Sequence, residues 1–119
     1  MLFVEIADSY DTQSKGLMHR RHLPEDSGML FIFNDKRDLT FWGRNTYLPL
    51  DIAFVDDDNK IIKISKIDPL CEKVVHSGKE CKIAIEANVG YFDSKNIKVG
   101  DTIIIDKKNS NGIVRFDKN

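Results

Sequence analysis

The chain has 119 residues, of which 41% are hydrophobic and 31% are charged, and its formal net charge at pH 7 is −1. This length suits a single domain with one core over residues 1–119, and the composition is ordinary for a globular protein. The balanced charge argues against a nucleic-acid partner, and no apolar run approaches the roughly 20 residues that a membrane span requires.

The first residues of the chain predict a strand. Leu2, Val4 and Ile6 alternate with less apolar positions, so one face of this strand should pack on the core. The segment lacks the basic region and the long apolar region of a signal peptide. We therefore expect a cytoplasmic protein, and an exported form whose signal has been removed stays open as the alternative.

A short helix is predicted next, over about residues 10 to 18, because Asp8 or Ser9 can cap its first turn. Gly16 is unfavourable inside a helix and should mark either its end or a close approach to a strand. Residues 29–33 are apolar at every position, as in a central strand covered on both faces. The polar residues 34–38 have the length of a hairpin turn that leads to a short strand at 39–42.

The second half of the chain predicts further hairpins. Residues 50–55 and 60–67 form the clearest one, and residues 81–87 form a strand with Glu86 on its less apolar face. Residues 89–96 suit one or two helical turns, and a last hairpin is predicted through Asn111-Gly112. The predicted fold is mostly β (α+β): about seven or eight short strands in a small curled sheet, barrel-like or a two-layer sandwich, with one short N-terminal helix.

Three motifs occur in order along the chain: Gly-Leu-Met-His-Arg at 16–20, Gly-Met-Leu-Phe at 28–31, and a segment at 41–54 with Phe-Trp, Asn-Thr and Pro-Leu-Asp. With these motifs the chain resembles the prokaryotic family called domain of unknown function 192, from Val4 to Asp101. The resemblance implies a small, mostly β domain and no assigned reaction. The family pattern usually has Met and Lys where this chain has Gly43 and Arg44, so a ligand preference of its own would reside there.

The candidate binding surface combines an aromatic face, a guanidinium group and small polar groups. Its residues are Trp42, Arg44, Asn45, Thr46 and Asp51, with Arg20 added because the first motif ends on it and a buried Asp51 would need a cationic partner. A small polar or sugar-like ligand would suit this set, and a protein partner is the other predicted occupant. The competing interpretation is structural: Trp42 lies in the core, Asn45 and Thr46 bond turn backbone, and Asp51 receives N–H bonds.

A carbohydrate-acting hydrolase is the alternative function, with Asp51 and Glu86 as acid and base. Such a pair must stand roughly 5 to 9.5 Å apart across one cleft, so the hypothesis requires both carboxylates on the same side of the sheet. The chain carries no nucleophile elbow, phosphate-binding loop or dinucleotide fingerprint. We therefore lean against an enzyme.

The two cysteines, Cys71 and Cys81, are too few for a disulfide scaffold and have no CxxC spacing, so we treat them as thiols. Together with His76 they could hold zinc, but a closed zinc site needs four ligands and no fourth is evident nearby. We expect no metal and no cofactor.

Overall fold

The structure is a computed structural model and describes residues 1–118. Its elements, in chain order, are β1 (Leu2–Ala7), α1 (Tyr10–Lys15), β2 (Ser27–Phe41), β3 (Leu50–Val55), β4 (Ile61–Ile67), β5 (Val75–Asn88), α2 (Tyr91–Ser94), β6 (Thr102–Lys108) and β7 (Asn111–Asp117). The prediction of a mostly β domain with about seven strands and a short N-terminal helix is confirmed. No helix within the described part of the chain is long and apolar enough to cross a membrane.

All seven strands belong to one sheet, in the order β4-β3-β5-β2-β1-β7-β6. The sheet curls until its two edges touch at one end, where Lys60 bridges to Thr102. Next to this bridge the backbone N–H of Ile61 donates to the carbonyl oxygen of Asp101 at 2.9 Å. Among the described residues the edges are joined only there, so the fold is a half-barrel, and the barrel-like alternative describes it better than the two-layer sandwich.

Two hydrophobic clusters cover the two faces of the curled sheet. The first draws buried residues from all seven strands and from α2, so it fills the inside of the curl. The second lies on the outer face of β2, β3 and β5, where Phe31 and Phe54 are fully buried. Leu17, Leu23 and Leu48, which lie in connecting segments, cover this outer cluster. The connections that follow α1 and β2 are therefore held on the outer face by apolar packing.

Strand β2 is central, as its apolar first half predicts, but the predicted hairpin turn at 34–38 is wrong. β2 instead continues to Phe41 and pairs with β5 through two register shifts. Asp38 accepts hydrogen bonds from the backbone N–H of Gly78 at 2.9 Å and from the hydroxyl of Ser77 at 3.0 Å. These bonds satisfy a polar side chain within the strand, and they lower the pKa of Asp38, with the Gly78 N–H as the main cause.

Helix α1 is shorter than the predicted helix over about residues 10 to 18. It ends just before Gly16, which is one of the two roles predicted for this glycine. Ser9 caps its start by accepting the Thr12 N–H, and Gly16 leaves the helical conformation with a φ of +50°. The C-terminal hairpin is also confirmed, but its turn lies at Asn109–Ser110 because Lys108 pairs with Asn111. Asn109 adopts the left-handed conformation there with a φ of +60°.

Candidate ligand-binding cleft

A cleft of about 270 Å³ lies between the α1 segment and the outer face of β2, β3 and β5. Five aromatic side chains line it: Tyr10, Phe31, Phe33, Phe41 and Trp42. The Phe31 and Phe41 rings meet edge to face with centroids 4.9 Å apart, and Phe33 approaches Phe41 at 6.3 Å in the same manner. These mutual contacts fix the rings and form a rigid apolar wall.

Glu86 stands at the base of this cleft, and no residue in the described part of the chain bonds to its carboxyl group. It lies on β5 opposite Met29 and Ile52, which are both buried, so the strand pairing forces its side chain into the outer apolar cluster. Glu86 is only 5% exposed, and no hydrogen bond or ion pair joins its carboxyl to any residue within 1–118. Burial raises the pKa of Glu86 to about 8, so the acid is largely protonated at neutral pH.

Polar groups from two elements surround the mouth of the cleft. Gln13 is held in the wall, because its side-chain amide donates to the carbonyl oxygens of Ala7 and Ile32 at 3.3 and 2.8 Å. Two exposed cations also line the opening, Lys15 from α1 and Arg37 from β2. The guanidinium carbon of Arg37 lies 5.1 Å from the centre of the Phe33 ring.

Two residues of the predicted surface, Trp42 and Thr46, line this cleft. Trp42 is 39% exposed, so it lies at the rim and not in the core. Arg44 stacks over the indole at 5.5 Å and its Nε is 3.6 Å from a carboxylate oxygen of Glu72. The buried Thr46 donates its hydroxyl to the carbonyl oxygen of Arg44 at 3.2 Å. The structural interpretation therefore holds for Thr46 and fails for Trp42.

The conformation of the turn between β2 and β3 explains why glycine occupies position 43 and asparagine position 45. Asn45 has a φ of +56°, and its carbonyl oxygen accepts the His19 N–H at 2.8 Å. A Cβ atom on Gly43 would lie 2.0 Å from the carbonyl oxygen of Asp68. The side-chain position of residue 43 thus points at the 68–71 loop, so the family's usual Met could not occupy it here without moving that loop.

Arg20 and Asp51 do not form the predicted ion pair. Arg20 instead donates through both terminal nitrogens to the carboxylate of Glu5, and these hydrogen bonds lower the pKa of Glu5. Asp51 accepts the backbone N–H of Gly90 at 2.8 Å, as the structural interpretation expected. The Arg20–Glu5 pair lies beside β1, because Glu5 projects from the face of that strand opposite Val4 and Ile6.

The two carboxylates of the hydrolase hypothesis lie on opposite faces of the sheet. β3 and β5 are paired so that Asp51 faces Ala87 while Ile52 faces Glu86. Side chains one position apart on a strand point to opposite sides, so Asp51 and Glu86 cannot flank one bond. The acid/base assignment to this pair is wrong, and Glu86 alone remains in the cleft.

The cysteines are both free thiols. Cys81 is buried, and burial raises the pKa of its thiol. Within residues 1–118 no three His, Cys, Asp or Glu side chains are grouped so that they could hold a metal ion. The Cys71, His76 and Cys81 set therefore does not form a metal site.

Sequence reasoning missed the α1 side of the cleft and the contribution of β2. Gln13 and Lys15 come from the predicted short helix, Phe33 from the end of the predicted central strand and Arg37 from the predicted turn, and none of them was a candidate site residue. One signal was available, because Glu86 is the only charged residue in the run Ile83–Ala87. An acid placed inside an apolar strand is an expected mark of a functional site.

Replacing Asp51 by alanine should lower the free energy of unfolding by about 1 kcal/mol, since it removes the acceptor for the Gly90 N–H. Urea denaturation measures this loss. Asp58→Ala in the exposed turn before β4 is the matched control and should change stability by less than about 0.5 kcal/mol. Equal effects of the two substitutions would contradict a structural role for Asp51.

Comparison with known proteins identifies the family. The family model of domain of unknown function 192, described as "Uncharacterized ACR", matches residues 1–105. A crystal structure from Sinorhizobium meliloti 1021, titled a "putative transcription regulator", is 35% identical with a TM-score of 0.82, covering 85% of this chain and 79% of the other. A protein of unknown function from Novosphingobium aromaticivorans DSM 12444 is 36% identical with a TM-score of 0.80, covering 83% of this chain and 71% of the other. No curated protein matches the chain. The chain belongs to the domain of unknown function 192 family.

Proposed function

We propose that this protein binds a small ligand in the cleft between α1 and the outer face of the sheet. The observation that carries the proposal is the Glu86 carboxyl, which is buried at the base of the cleft without a partner among residues 1–118. Burying such a group costs stability unless something bonds it, so its position is hard to explain by folding alone. A cleft that contains a strongly perturbed acid is a common mark of a binding site.

The shape and chemistry of the cleft limit the ligand. Its volume of about 270 Å³ lies near the lower end for small-molecule sites, which favours a small metabolite over a nucleotide cofactor. The Phe33, Phe41 and Trp42 rings offer apolar surface to a flat body, and Glu86 offers a hydrogen bond at the base. The predicted small polar ligand fits this arrangement better than a protein partner, since the Glu86 carboxyl group lies at the bottom of a cleft.

A fragment screen by NMR, with Trp42 fluorescence as a second readout, tests the proposal. Trp42 is the only tryptophan of the chain and lies at the rim, so its emission should change when the cleft fills. Ligand-induced shifts should cluster at residues 13–18, 31–42 and 86. Binding should weaken about tenfold or more in Phe33→Ala, which removes part of the wall.

Phe3→Ala is the matched control, because Phe3 is an exposed phenylalanine on β1 outside this cleft. It should leave the affinity unchanged. Fragments whose shifts lie elsewhere, or whose affinity is the same in Phe33→Ala and wild type, would overturn the proposal.

A further inference from the structure

We propose that the ligand is a small organic anion with a flat apolar body, held between the Lys15 and Arg37 cations at the mouth and the Glu86 carboxyl group at the base. This inference rests on the proposed binding function of the cleft and names the chemical class of its ligand. Charge, hydrogen-bonding chemistry and shape support it separately.

The charges that face the cleft are few. Its titratable lining groups are Tyr10 and Lys15 from α1, Arg37 from β2 and Glu86 from β5. Lys15 and Arg37 form no salt bridge with a carboxylate of residues 1–118, although Lys15 is near enough to Glu5 to contribute to lowering its pKa. With Glu86 protonated, the lining at neutral pH carries two positive charges and no negative one, which favours an anion.

The protonated carboxyl is suited to the same ligand. Its O–H can donate to a carboxylate or phosphate oxygen, and hydrogen bonds of this charge-assisted kind are short and strong. An ionised Glu86 would instead repel the anion. Binding should therefore retain the proton on Glu86, and the ligand and the proton should stabilise each other.

Other ligand classes fit less well. An organic cation would meet Lys15 and Arg37 at the mouth and would have to ionise Glu86 to gain an ion pair. A neutral ligand could use the aromatic wall and the Glu86 hydrogen bond but would gain nothing from the two cations. The aromatic wall of Phe33, Phe41 and Trp42 suits a ring next to the anionic group, so an aromatic carboxylate is the simplest probe.

Benzoate, benzamide and benzylammonium have nearly the same shape and differ in charge, so they separate the three classes. Kd is measured for each by Trp42 fluorescence and by NMR shifts at the cleft, at about pH 6, where Glu86 is protonated. Benzoate should bind about tenfold or more tightly than benzamide, and benzylammonium more weakly than either. Inorganic phosphate, which has no apolar body, should bind more weakly than benzoate.

Two sets of variants test the roles of the named groups. The affinity of wild type for benzoate should fall toward tenfold per pH unit above about pH 8, and Glu86→Gln should remove this dependence while keeping a hydrogen-bond donor. The double variant Lys15→Gln, Arg37→Gln should weaken the binding of benzoate by about tenfold and leave the affinity for benzamide unchanged. The double variant Lys79→Gln, Arg115→Gln removes two cations outside the cleft and should have little effect.

The outcomes separate this inference from the proposed function. If benzamide or benzylammonium binds in the cleft as tightly as benzoate, the anion inference is overturned while small-ligand binding stands. If benzoate causes no shifts at the cleft up to its solubility limit, the inference is also overturned. If the fragment screen finds no binder in the cleft either, the proposed function fails with it.

Discussion

The Glu86→Gln variant should be more stable than the wild-type protein at pH 7, with a free energy of unfolding about 3 kcal/mol higher. The pKa of Glu86 is about 8 in the folded protein, against 4.5 for an ordinary glutamate. In the unfolded chain the carboxyl ionises freely above about pH 4.5, whereas in the folded protein it stays protonated up to about pH 8. With respect to this group, wild-type stability is therefore greatest below about pH 4.5, falls as pH rises from there to about 8, and levels off above it.

The full effect across this pH range is about 4–5 kcal/mol, since each pKa unit corresponds to about 1.4 kcal/mol. Urea denaturation at several values between about pH 4 and about pH 9 measures it. The wild-type and Glu86→Gln curves should diverge as pH rises. Glu80→Gln, which removes an exposed acid from the same strand, should instead run parallel to wild type. Parallel curves for Glu86→Gln would show that the acid is not held protonated by burial.

Gly43→Ala should destabilise the protein by about 2–4 kcal/mol, because the new methyl group would lie 2.0 Å from the carbonyl oxygen of Asp68. Both contacting groups are backbone, so no side-chain rotation relieves the clash. The 68–71 loop must move away, and the hydrogen bond from the Gly43 N–H to the carbonyl oxygen of Cys71, 2.8 Å long, is then lost. Thermal and urea denaturation measure the stability change.

Gly78→Ala is the control for this substitution. Nothing lies within 4 Å of a Cβ atom at Gly78, and its φ of +78° alone should cost about 1 kcal/mol. Reaction of Cys71 with a thiol reagent gives a second readout, since Cys71 is partly exposed and Cys81 is buried. Gly43→Ala should speed this reaction and Gly78→Ala should not. A Gly43→Ala protein as stable as Gly78→Ala, with unchanged Cys71 reactivity, would contradict the close approach of the two backbones.

Local pattern predicted the strands well where one physical signal dominated. The fully apolar run at 29–33 predicts a central strand, and β2 is the fourth of the seven strands. The acidic turn at 56–59 predicts the β3–β4 hairpin, and these strands pair. In both cases the determinants lie within a few residues of each other, so sequence alone is sufficient.

The prediction failed where a distant residue supplied the partner. Residues 34–38 are polar enough for a turn, but Gly78 and Ser77 satisfy Asp38 from forty positions away and keep the chain extended. Arg20 likewise pairs with Glu5 and not with Asp51. The pairing of the strands, and not the residue types alone, decides which charged side chains come into contact. Long-range partners of this kind are not encoded in local periodicity.

Only a small part of the candidate site was predicted from the sequence. Trp42 and Thr46 were in the predicted set and line the cleft, while the α1 residues and Arg37 were not in it. Glu86 was considered only beside Asp51, and its separate importance depends on the β3–β5 register, which buries it opposite Ile52. A one-residue change of that register would place Glu86 on the other face, so no pattern within β5 could decide its environment.

The most direct test of the account is an NMR titration of the Glu86 side-chain carboxyl carbon in the wild-type protein without ligand, assigned by comparison with Glu86→Gln. We expect a midpoint of about 8, because the carboxyl lies buried at the base of the cleft without a partner among residues 1–118. A midpoint close to the ordinary value of 4.5 would contradict it, since Glu86 would then be solvated or paired and the cleft would lose its defining group.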